Sequence, residues 1–268
     1  MKGKAKIANL YLVLVFFVLY APIFYLMYYS FNSGGSMRNF EGFTWEYYLN
    51  VFKDTRLIII ALNTLVIALL SATISTILGI FGALAIMYVR KMQTKQTLQT
   101  LNNVLIVSPD VIIGASFLIM FTMIGIKLGF TSVLLSHIAF SVPIVVIMVL
   151  PKLQEMSTSL IDAAKDLGAT NWDVLSKVIL PYITPGVFAG FFMALTYSLD
   201  DFAVTFFVTG NGFSTLSVEI YSRARQGISL EINALSTLIF LITLVLVLGY
   251  YFVNQRNAKP SGQGVRKS

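Results

Sequence analysis

Residues 57–88 read LIIIALNTLVIALLSATISTILGIFGALAIMY, an apolar run without one charged side chain. A helix needs about 20 predominantly apolar residues to cross roughly 30 Å of hydrocarbon, so a run of this length is expected to tilt or to project from the bilayer. The whole chain agrees, because 57% of its 268 residues are hydrophobic and only 12% are charged. A soluble domain carries about 25% charged residues. The sequence therefore predicts an all-α integral membrane protein.

Five further apolar runs complete a predicted set of six transmembrane helices. In chain order the six runs are 7–30, 57–88, 103–125, 132–150, 183–207 and 232–253. Lys and Arg accumulate on the cytoplasmic side of a membrane protein. A cytoplasmic N-terminus places most of the 19 basic residues inside, so both chain ends are expected to face the cytoplasm. The net charge of +7 then reflects this bias rather than a nucleic-acid partner.

The predicted spans define the domain organisation. Residues 1–6 form a short cytoplasmic segment, residues 7–253 the transmembrane domain, and residues 254–268 a polar cytoplasmic tail that is expected to be disordered. The first run is too long for a signal-peptide core and is expected to be an uncleaved anchor. Two segments on the outer side, 31–56 and 209–230, are expected to contain short helices.

Several classes of chemistry are excluded by the residues present. Without cysteine the chain can form neither disulfides nor thiolate metal sites. No GxxxxGK[ST] motif occurs, so the chain has no nucleotide-binding loop of its own. No serine–histidine cluster or metal-ligand cluster suggests an enzyme, because the sole histidine has no carboxylate near it in sequence. No enzymatic activity, metal or cofactor is expected.

Residues 151–182, the folded loop, lie between the fourth and fifth predicted spans and carry a helical pattern. Leu160, Ala163, Ala164 and Leu167 recur at helical spacing on one face. Ser159 and Asp162 resemble a capping box, and Gly168 lies where a helix ends in the left-handed conformation. The pattern predicts a first short helix that stops at this glycine.

A second short helix is expected to follow, with Thr170 as its N-cap and Asp173 reaching back to it. Its apolar side would carry Trp172, Leu175 and Ile179, and Pro181 and Pro185 would stop it before the fifth span. Short helices are marginal in water, so this element needs a surface to pack on. That surface is either a groove in another subunit or the membrane domain of the chain itself.

Ionisable residues within the spans indicate a substrate path, because each costs roughly 2.5 to 3.5 kcal/mol at the centre of a span. Asp110, His137, Asp200 and Asp201 lie there, without any Lys or Arg. This charge favours a cationic substrate. Alternatively, the aspartates cap broken helices or pair with basic groups of a partner. His137 either donates through one ring nitrogen to a carbonyl of a neighbouring span or titrates beside a path aspartate.

The neighbours of these aspartates indicate how a path would be built. Pro109 breaks the helix before Asp110, and Gly114, Phe117 and Phe121 continue along a similar face, which suits an alkylammonium chain. In the fifth span, Tyr197, Asp201 and Thr205 recur at every fourth residue. We expect Asp201 to face the path and Asp200 to face protein. At about 1.5 Å per residue, Asp110 lies roughly 10 Å and Asp201 roughly 24 Å from the inner end, forming two stations.

Asp162-Ala163-Ala164, then Gly168, then Leu180-Pro181 resembles the EAA loop of the permeases of ABC importers, with the spacing kept. Asp162 replaces the usual Glu and Val178 the common Ile, and both changes conserve charge or shape. The resemblance implies the type I importer permease fold and a coupling helix that docks on a cytoplasmic ATPase. The residues it assigns to this contact are Asp162, Ala163, Ala164, Leu167, Gly168, Leu180 and Pro181.

Ordered strings along most of the chain carry a narrower resemblance. They are Ser108-Pro109-Asp110, Ser136-His137-Ile138, Asp166-Leu167-Gly168-Ala169, Ser198-Leu199-Asp200-Asp201, Phe207-Val208-Thr209-Gly210 and Glu231-Ile232-Asn233-Ala234-Leu235. Together they resemble the C-type permeases of spermidine/putrescine importers. The resemblance implies a bacterial cell-membrane subunit that works with a sister permease, an ATPase dimer and an extracytoplasmic polyamine-binding protein. Two alternatives stay open: a permease of this class for ferric iron or a thiamine-like cation, and an ion-coupled secondary carrier.

Overall fold

The structure is a computed structural model that describes residues 2–226 and 229–257. Within these residues it is all-helical, and no strand forms beyond an isolated bridge between Asn32 and Phe43. The predicted helical class is confirmed. The helices are α1 (Lys2–Tyr29), α2 (Glu46–Lys53), α3 (Thr55–Tyr88), α4 (Met92–Val107), α5 (Asp110–Met123), α6 (Phe130–Glu155), α7 (Thr158–Asp166), α8 (Asn171–Asp173), α9 (Leu180–Asp200), α10 (Ala203–Val208), α11 (Leu216–Gln226) and α12 (Leu230–Asn257), with a π-helical segment, Val174–Ile179, between α8 and α9.

Among the described residues, four continuous helical stretches are long and apolar enough to cross a bilayer. They are Asn9–Tyr29, Thr55–Tyr88, Phe130–Glu155 and Asn171–Asp200. The pair α4 and α5 gives a fifth stretch if it counts as one span, and Leu230–Ile242 is a shorter apolar helix. The short helices expected in segments 31–56 and 209–230 are present as α2 and α11.

The third predicted span is not one helix. The chain bends by 103° between α4 and α5, at Ser108 and Pro109, which both have extended backbone angles. A proline disfavours helical angles in the residue before it and cannot donate the next helical hydrogen bond, so it separates the two helices. The depth calculated for Asp110 along a straight helix from Asn103 therefore does not apply.

The fifth predicted span differs at both ends. It is continuous with α8 from Asn171, so Pro181 and Pro185 lie within a helical run instead of stopping it. The π-helical segment ends with the Leu180 N–H bonded to the Leu175 carbonyl, and this wider turn accommodates the proline that follows. At its far end the helix breaks at Asp201, whose ψ of 119° is extended, and α10 then begins at Ala203.

The chain divides into two compact units, residues 56–221 and residues 1–55 with 222–268. In the second of these, Tyr48 and Val51 of α2 form a small core with Ala234 of α12. Asn32 is fully buried and fixes the turn that follows it, because its amide donates to the carbonyls of Ser36 and Asn39 at 2.7 Å. The predicted tail starts at residue 254, but α12 continues through Asn257; residues 258–268 lie outside the described residues.

The unit formed by residues 56–221 is built around α6. Val145 is fully buried at the centre of this helix, and glycines of two neighbouring helices approach it closely. A Cβ on Gly190 of α9 would lie 3.2 Å from the Val145 Cα, and one on Gly79 of α3 would lie 2.5 Å from the Val145 Cβ. In a bilayer, small residues at an interface allow this close packing, which substitutes for the hydrophobic effect.

Candidate functional site

Asp110 opens α5 directly after the bend and lies in a cleft of about 220 Å³ between α4, α5, α6 and α9. We name it the Asp110 cleft. The Tyr197 hydroxyl of α9 donates to Asp110 Oδ1 at 3.0 Å. Apart from this pair the lining is apolar: Leu105, Ile106, Ile113, Phe140, Ile144, Ile147, Met148 and Met193. The cleft thus combines one half-exposed carboxylate and one phenol with hydrocarbon walls.

Asp201 has a different environment, because it is buried and its carboxylate is hydrogen-bonded within the chain. Oδ2 accepts from the Thr205 N–H at 2.8 Å and from the Thr205 hydroxyl at 2.7 Å, and Oδ1 accepts from the Val204 N–H at 3.3 Å. These are the free amides at the start of α10, so Asp201 caps that helix.

His137 of α6 is fully buried and contacts the same network. Its Nε2 lies 2.8 Å from the Thr205 Oγ1 and 3.5 Å from Asp201 Oδ2, and its Nδ1 lies 2.6 Å from the Ser198 Oγ. The single hydroxyl hydrogen of Thr205 goes to Asp201, which as a carboxylate can only accept. The Thr205 oxygen therefore accepts from His137, and Nε2 carries a hydrogen. The partners of this histidine are hydroxyls, not the carbonyl that was one of the two expectations.

The structure reverses the expected orientation of the two adjacent aspartates. Asp201, expected to face the path, is 7% exposed and packed inside the chain, whereas Asp200, expected to face protein, is exposed. The reason is the helix break, because the chain turns at Asp201 and its carboxylate folds onto the first amides of α10. The expected stripe of Tyr197, Asp201 and Thr205 on one continuous helix is also interrupted by this break.

The two aromatic rings predicted along α5 do not line the Asp110 cleft. Phe117 and Phe121 stack on each other at 5.6 Å, and both pack in the core between α5 and α10. Gly114 lies on the same side, where a Cβ would come within 3.0 Å of the Val204 Cα. The face that follows Asp110 is therefore a packing face. The aromatic contribution to the cleft comes from Phe140 instead, whose ring lies 5.3 Å from Tyr197 and 4.9 Å from His137.

Sequence reasoning misses Phe140 because an apolar residue in an apolar span gives no signal of its own. Its position three residues after His137, on the same helix face, is the one available indication. Ser71 of α3 is missed for a similar reason. Its hydroxyl donates to the Ser198 Oγ at 3.0 Å and so extends the His137 network, which joins α6, α9 and α10, to a fourth helix.

In the folded loop, the predicted two-helix arrangement is present with one cap displaced. Ser157, not Ser159, caps α7, and its hydroxyl accepts from the Ser159 N–H. The capping box of Thr170 and Asp173 is confirmed, with both reciprocal bonds at 3.2 Å. Gly168 has a φ of +83°, as expected for the end of α7. The first helix therefore starts two residues earlier than the sequence pattern suggests.

The face of α7 is divided between an inner and an outer side. Ala164 packs on the core around α6 and α9, whereas Ala163 is exposed and Leu167 is 90% exposed. Trp172 is 71% exposed, although Ile179, expected on its side, is buried. The π-helical segment between them changes the angular spacing, which separates the two side chains.

The remaining loop residues follow the same division. Asp162 is exposed beside Ala163, and Leu180 is partly buried against the core, while the adjacent Pro181 is exposed. The loop thus packs on its own membrane domain through one side and keeps an apolar outer surface. We name the group Leu160, Ala163, Leu167 and Trp172 the outer loop surface.

An all-helical membrane domain with a carboxylate cleft between its helices, beside a folded loop with an exposed apolar surface, defines a membrane permease subunit. The chain belongs to the family described as "Binding-protein-dependent transport system inner membrane component", which it matches over residues 1–259. Together with the apolar helices, this makes it a multi-pass protein of a bacterial inner membrane.

Two curated relatives are similar along most of their length. The spermidine/putrescine transport system permease protein PotC of Shigella flexneri is 36% identical over 256 residues, covering 96% of this chain and 97% of the relative. The putrescine transport system permease protein PotI of Escherichia coli K12 is 33% identical over 234 residues, covering 85% and 83%. The resemblance to polyamine permeases is confirmed.

A solved structure gives the same fold. A chain of a bacterial ABC transporter that imports the acidic polysaccharide alginate aligns with a TM-score of 0.73, covering 96% of this chain and 97% of its own. At 20% identity this likeness concerns the fold alone. It supports the fold predicted from the sequence and carries no information about the substrate.

Proposed function

We propose that this chain is the membrane permease of an ATP-driven importer that carries polyamines such as spermidine and putrescine. The observation that carries the proposal is the Asp110 cleft, in a chain whose similar relatives are named for these substrates. A polyamine alternates ammonium groups with methylene segments. The cleft offers a carboxylate for the first and hydrocarbon walls for the second.

The chemistry of the cleft favours an alkylammonium over a metal ion. A hard cation needs several converging oxygens, whereas the lining provides the carboxylate of Asp110 and the hydroxyl of Tyr197 among apolar residues. An ammonium is satisfied by fewer acceptors and also interacts with aromatic faces such as those of Phe140 and Tyr197. No Lys or Arg lines the cleft to repel it.

Three kinds of partner complete the proposed machine. A sister permease would close the open side of the path, an extracytoplasmic binding protein would deliver the substrate, and a cytoplasmic ATPase dimer would bind the outer loop surface. The chain would cross the membrane six times with both ends inside. Nucleotide-driven closure of the ATPase dimer would move α7 as a rigid lever and so alternate the access to the path.

The proposal is tested by uptake into proteoliposomes that contain the complete transporter. We expect labelled spermidine to enter only with binding protein present and ATP supplied to the ATPase, and to be competed by putrescine. If putrescine does not reduce the uptake of labelled spermidine but ferric iron or thiamine does, the proposed substrate class is wrong. Uptake that persists without ATP and collapses with an uncoupler would indicate a secondary carrier instead.

The coupling role is tested at Leu167, which is 90% exposed in this chain. Leu167→Asp places a charge on the outer loop surface, and we expect at least about a tenfold loss of ATPase association because an apolar contact becomes an unpaired charge. Leu167→Met is the matched control and keeps the association. Co-purification of the ATPase measures both variants, and unchanged association of the aspartate variant would contradict the docking role.

A further inference from the structure

A second cavity, of about 340 Å³, lies between α3, α4 and α6. We name it the amide cavity, because its polar lining consists of four carboxamides. The residues around it are Ile86, Gln99, Asn102, Asn103, Val146, Ile147, Leu150, Pro151 and Gln154. No ionisable side chain is among them. The four amides provide this cavity with neutral hydrogen-bonding groups among apolar residues.

The amide cavity adjoins the Asp110 cleft. Ile147 lines both, and the two follow each other along α6. From Ile144 in the cleft to Pro151 in the cavity the helix rises about 10 Å at 1.5 Å per residue. Gln154 belongs to the last turn of α6, immediately before the folded loop. The amide cavity is therefore the next chamber on the side of the folded loop.

The polar groups of this cavity are suited to accept hydrogen bonds. The Asn102 amide nitrogen donates to the Pro143 carbonyl at 3.3 Å and, more weakly, to the Asn103 Oδ1 at 3.5 Å, which fixes the Asn102 side chain and leaves its oxygen as the accepting end. Pro151 has no N–H, so the Ile147 carbonyl lacks the donor that a helix normally supplies four residues later. This backbone oxygen belongs to the residue shared by both cavities.

We propose that the amide cavity is a second binding station, which takes the ammonium groups of an alkylamine after they leave Asp110. The inference rests on the proposed function, since it presumes that the substrate is a polyamine. Amide and carbonyl oxygens are neutral acceptors. They therefore hold an ammonium group less tightly than a carboxylate does. Along a transport path, each site must bind the substrate strongly enough for the substrate to enter it and weakly enough for the substrate to leave it.

The station is tested with the complete transporter in proteoliposomes, using labelled spermidine and saturating binding protein. The double variant Gln99→Leu with Asn103→Leu removes two acceptors and leaves the contact between Asn102 and the Pro143 carbonyl intact. The ammonium group that has left the Asp110 cleft then lacks a hydrogen-bond acceptor in the amide cavity. We therefore expect spermidine uptake to fall about tenfold. ATP hydrolysis stimulated by the binding protein stays within about twofold. Gln93→Leu with Gln96→Leu, two exposed amides of the same helix outside the cavity, is the matched control.

A variant that adds a negative charge to the cavity distinguishes an effect on ammonium binding from an effect on the shape of the cavity. Gln154→Glu keeps the length of the side chain but adds a charge, so it should hold the ammonium too tightly. We expect the purified complex in detergent to retain about tenfold more labelled spermidine in equilibrium dialysis, while uptake slows.

The outcomes distinguish this inference from the proposed function. Spermidine uptake by the unaltered transporter combined with normal uptake by the double variant would overturn the station and leave the proposed function standing. An equal fall of uptake and ATP hydrolysis would assign the cavity to coupling and also overturn the station. If the unaltered transporter takes up no polyamine, the proposed function fails and the station fails with it.

Discussion

Two helix breaks in this molecule place an aspartate at the start of a new helix, yet the two carboxylates have opposite environments. Asp110 begins α5 after Pro109, is half-exposed, and is bonded by the Tyr197 hydroxyl. Asp201 precedes α10, is buried, and accepts from two backbone amides and the Thr205 hydroxyl. Identical chemistry beside similar breaks therefore gives one carboxylate open to a ligand and one engaged in the fold.

The difference follows from the backbone at each break. Pro109 occupies the cap position of α5, and no side chain caps that helix, so Asp110 projects from its first turn into the cleft. At the second break Asp201 ends α9 and lies two residues before α10, and its side chain reaches the free amides of α10. A substrate would have to displace those amides to reach Asp201, whereas Asp110 keeps acceptor capacity for an ammonium.

The largest effect is expected at the buried aspartate. Asp201→Ala removes the cap of α10, the acceptor of the Thr205 hydroxyl and the carboxylate 3.5 Å from His137, which costs about 3 kcal/mol and lowers the Tm by roughly 6–12 °C. Uptake falls with the amount of folded protein. Thermal unfolding of the purified transporter measures the change, and Asp201→Asn, which retains one accepting oxygen, should lose less. An Asp201→Ala variant with unchanged Tm and abolished uptake would assign this residue to the path instead.

A selective loss of transport is expected at the cleft aspartate. Asp110→Asn removes the charge that attracts an ammonium but keeps the shape, so spermidine uptake should fall about tenfold or more while the Tm and the ATPase association stay unchanged. Ser116→Ala, an exposed position on the same helix, serves as control. Loss of assembly in the Asp110 variant would mean that this carboxylate, like Asp201, holds the fold together.

The smallest effect is expected at Tyr197. Tyr197→Phe removes the hydroxyl that donates to Asp110 but keeps the ring against Phe140, so uptake should fall about two- to fivefold. Initial rates in proteoliposomes over a range of loaded binding protein measure it. A loss as large as that of Asp110→Asn would show that the phenol contacts the substrate directly rather than orienting the carboxylate.

Local rules were sufficient wherever the signal and its cause lie within a few residues. The reciprocal cap of Thr170 and Asp173, the left-handed Gly168 and the proline break before Asp110 are all set by neighbouring backbone groups. Local rules failed at the π-helical segment, Val174–Ile179. A widened turn changes the spacing of every later residue, and the sequence gives no sign of it. Trp172 and Ile179 were therefore predicted on one side and lie on different ones.

By itself, the sequence determined that this chain is a helical membrane protein, that its loop folds, and which ionisable residues its spans contain. Hydrophobic length, charge bias and capping chemistry are properties of the chain before it packs. Tertiary structure alone decided what each polar residue does. Asp201 became a cap because α10 presents its amides to it, and Phe140 became a cleft wall because α6 faces Tyr197. The four amides gather at one cavity because α4 lies against α6. Contacts between distant segments depend on how helices pack, and an apolar span can pack in many ways until its neighbours are fixed.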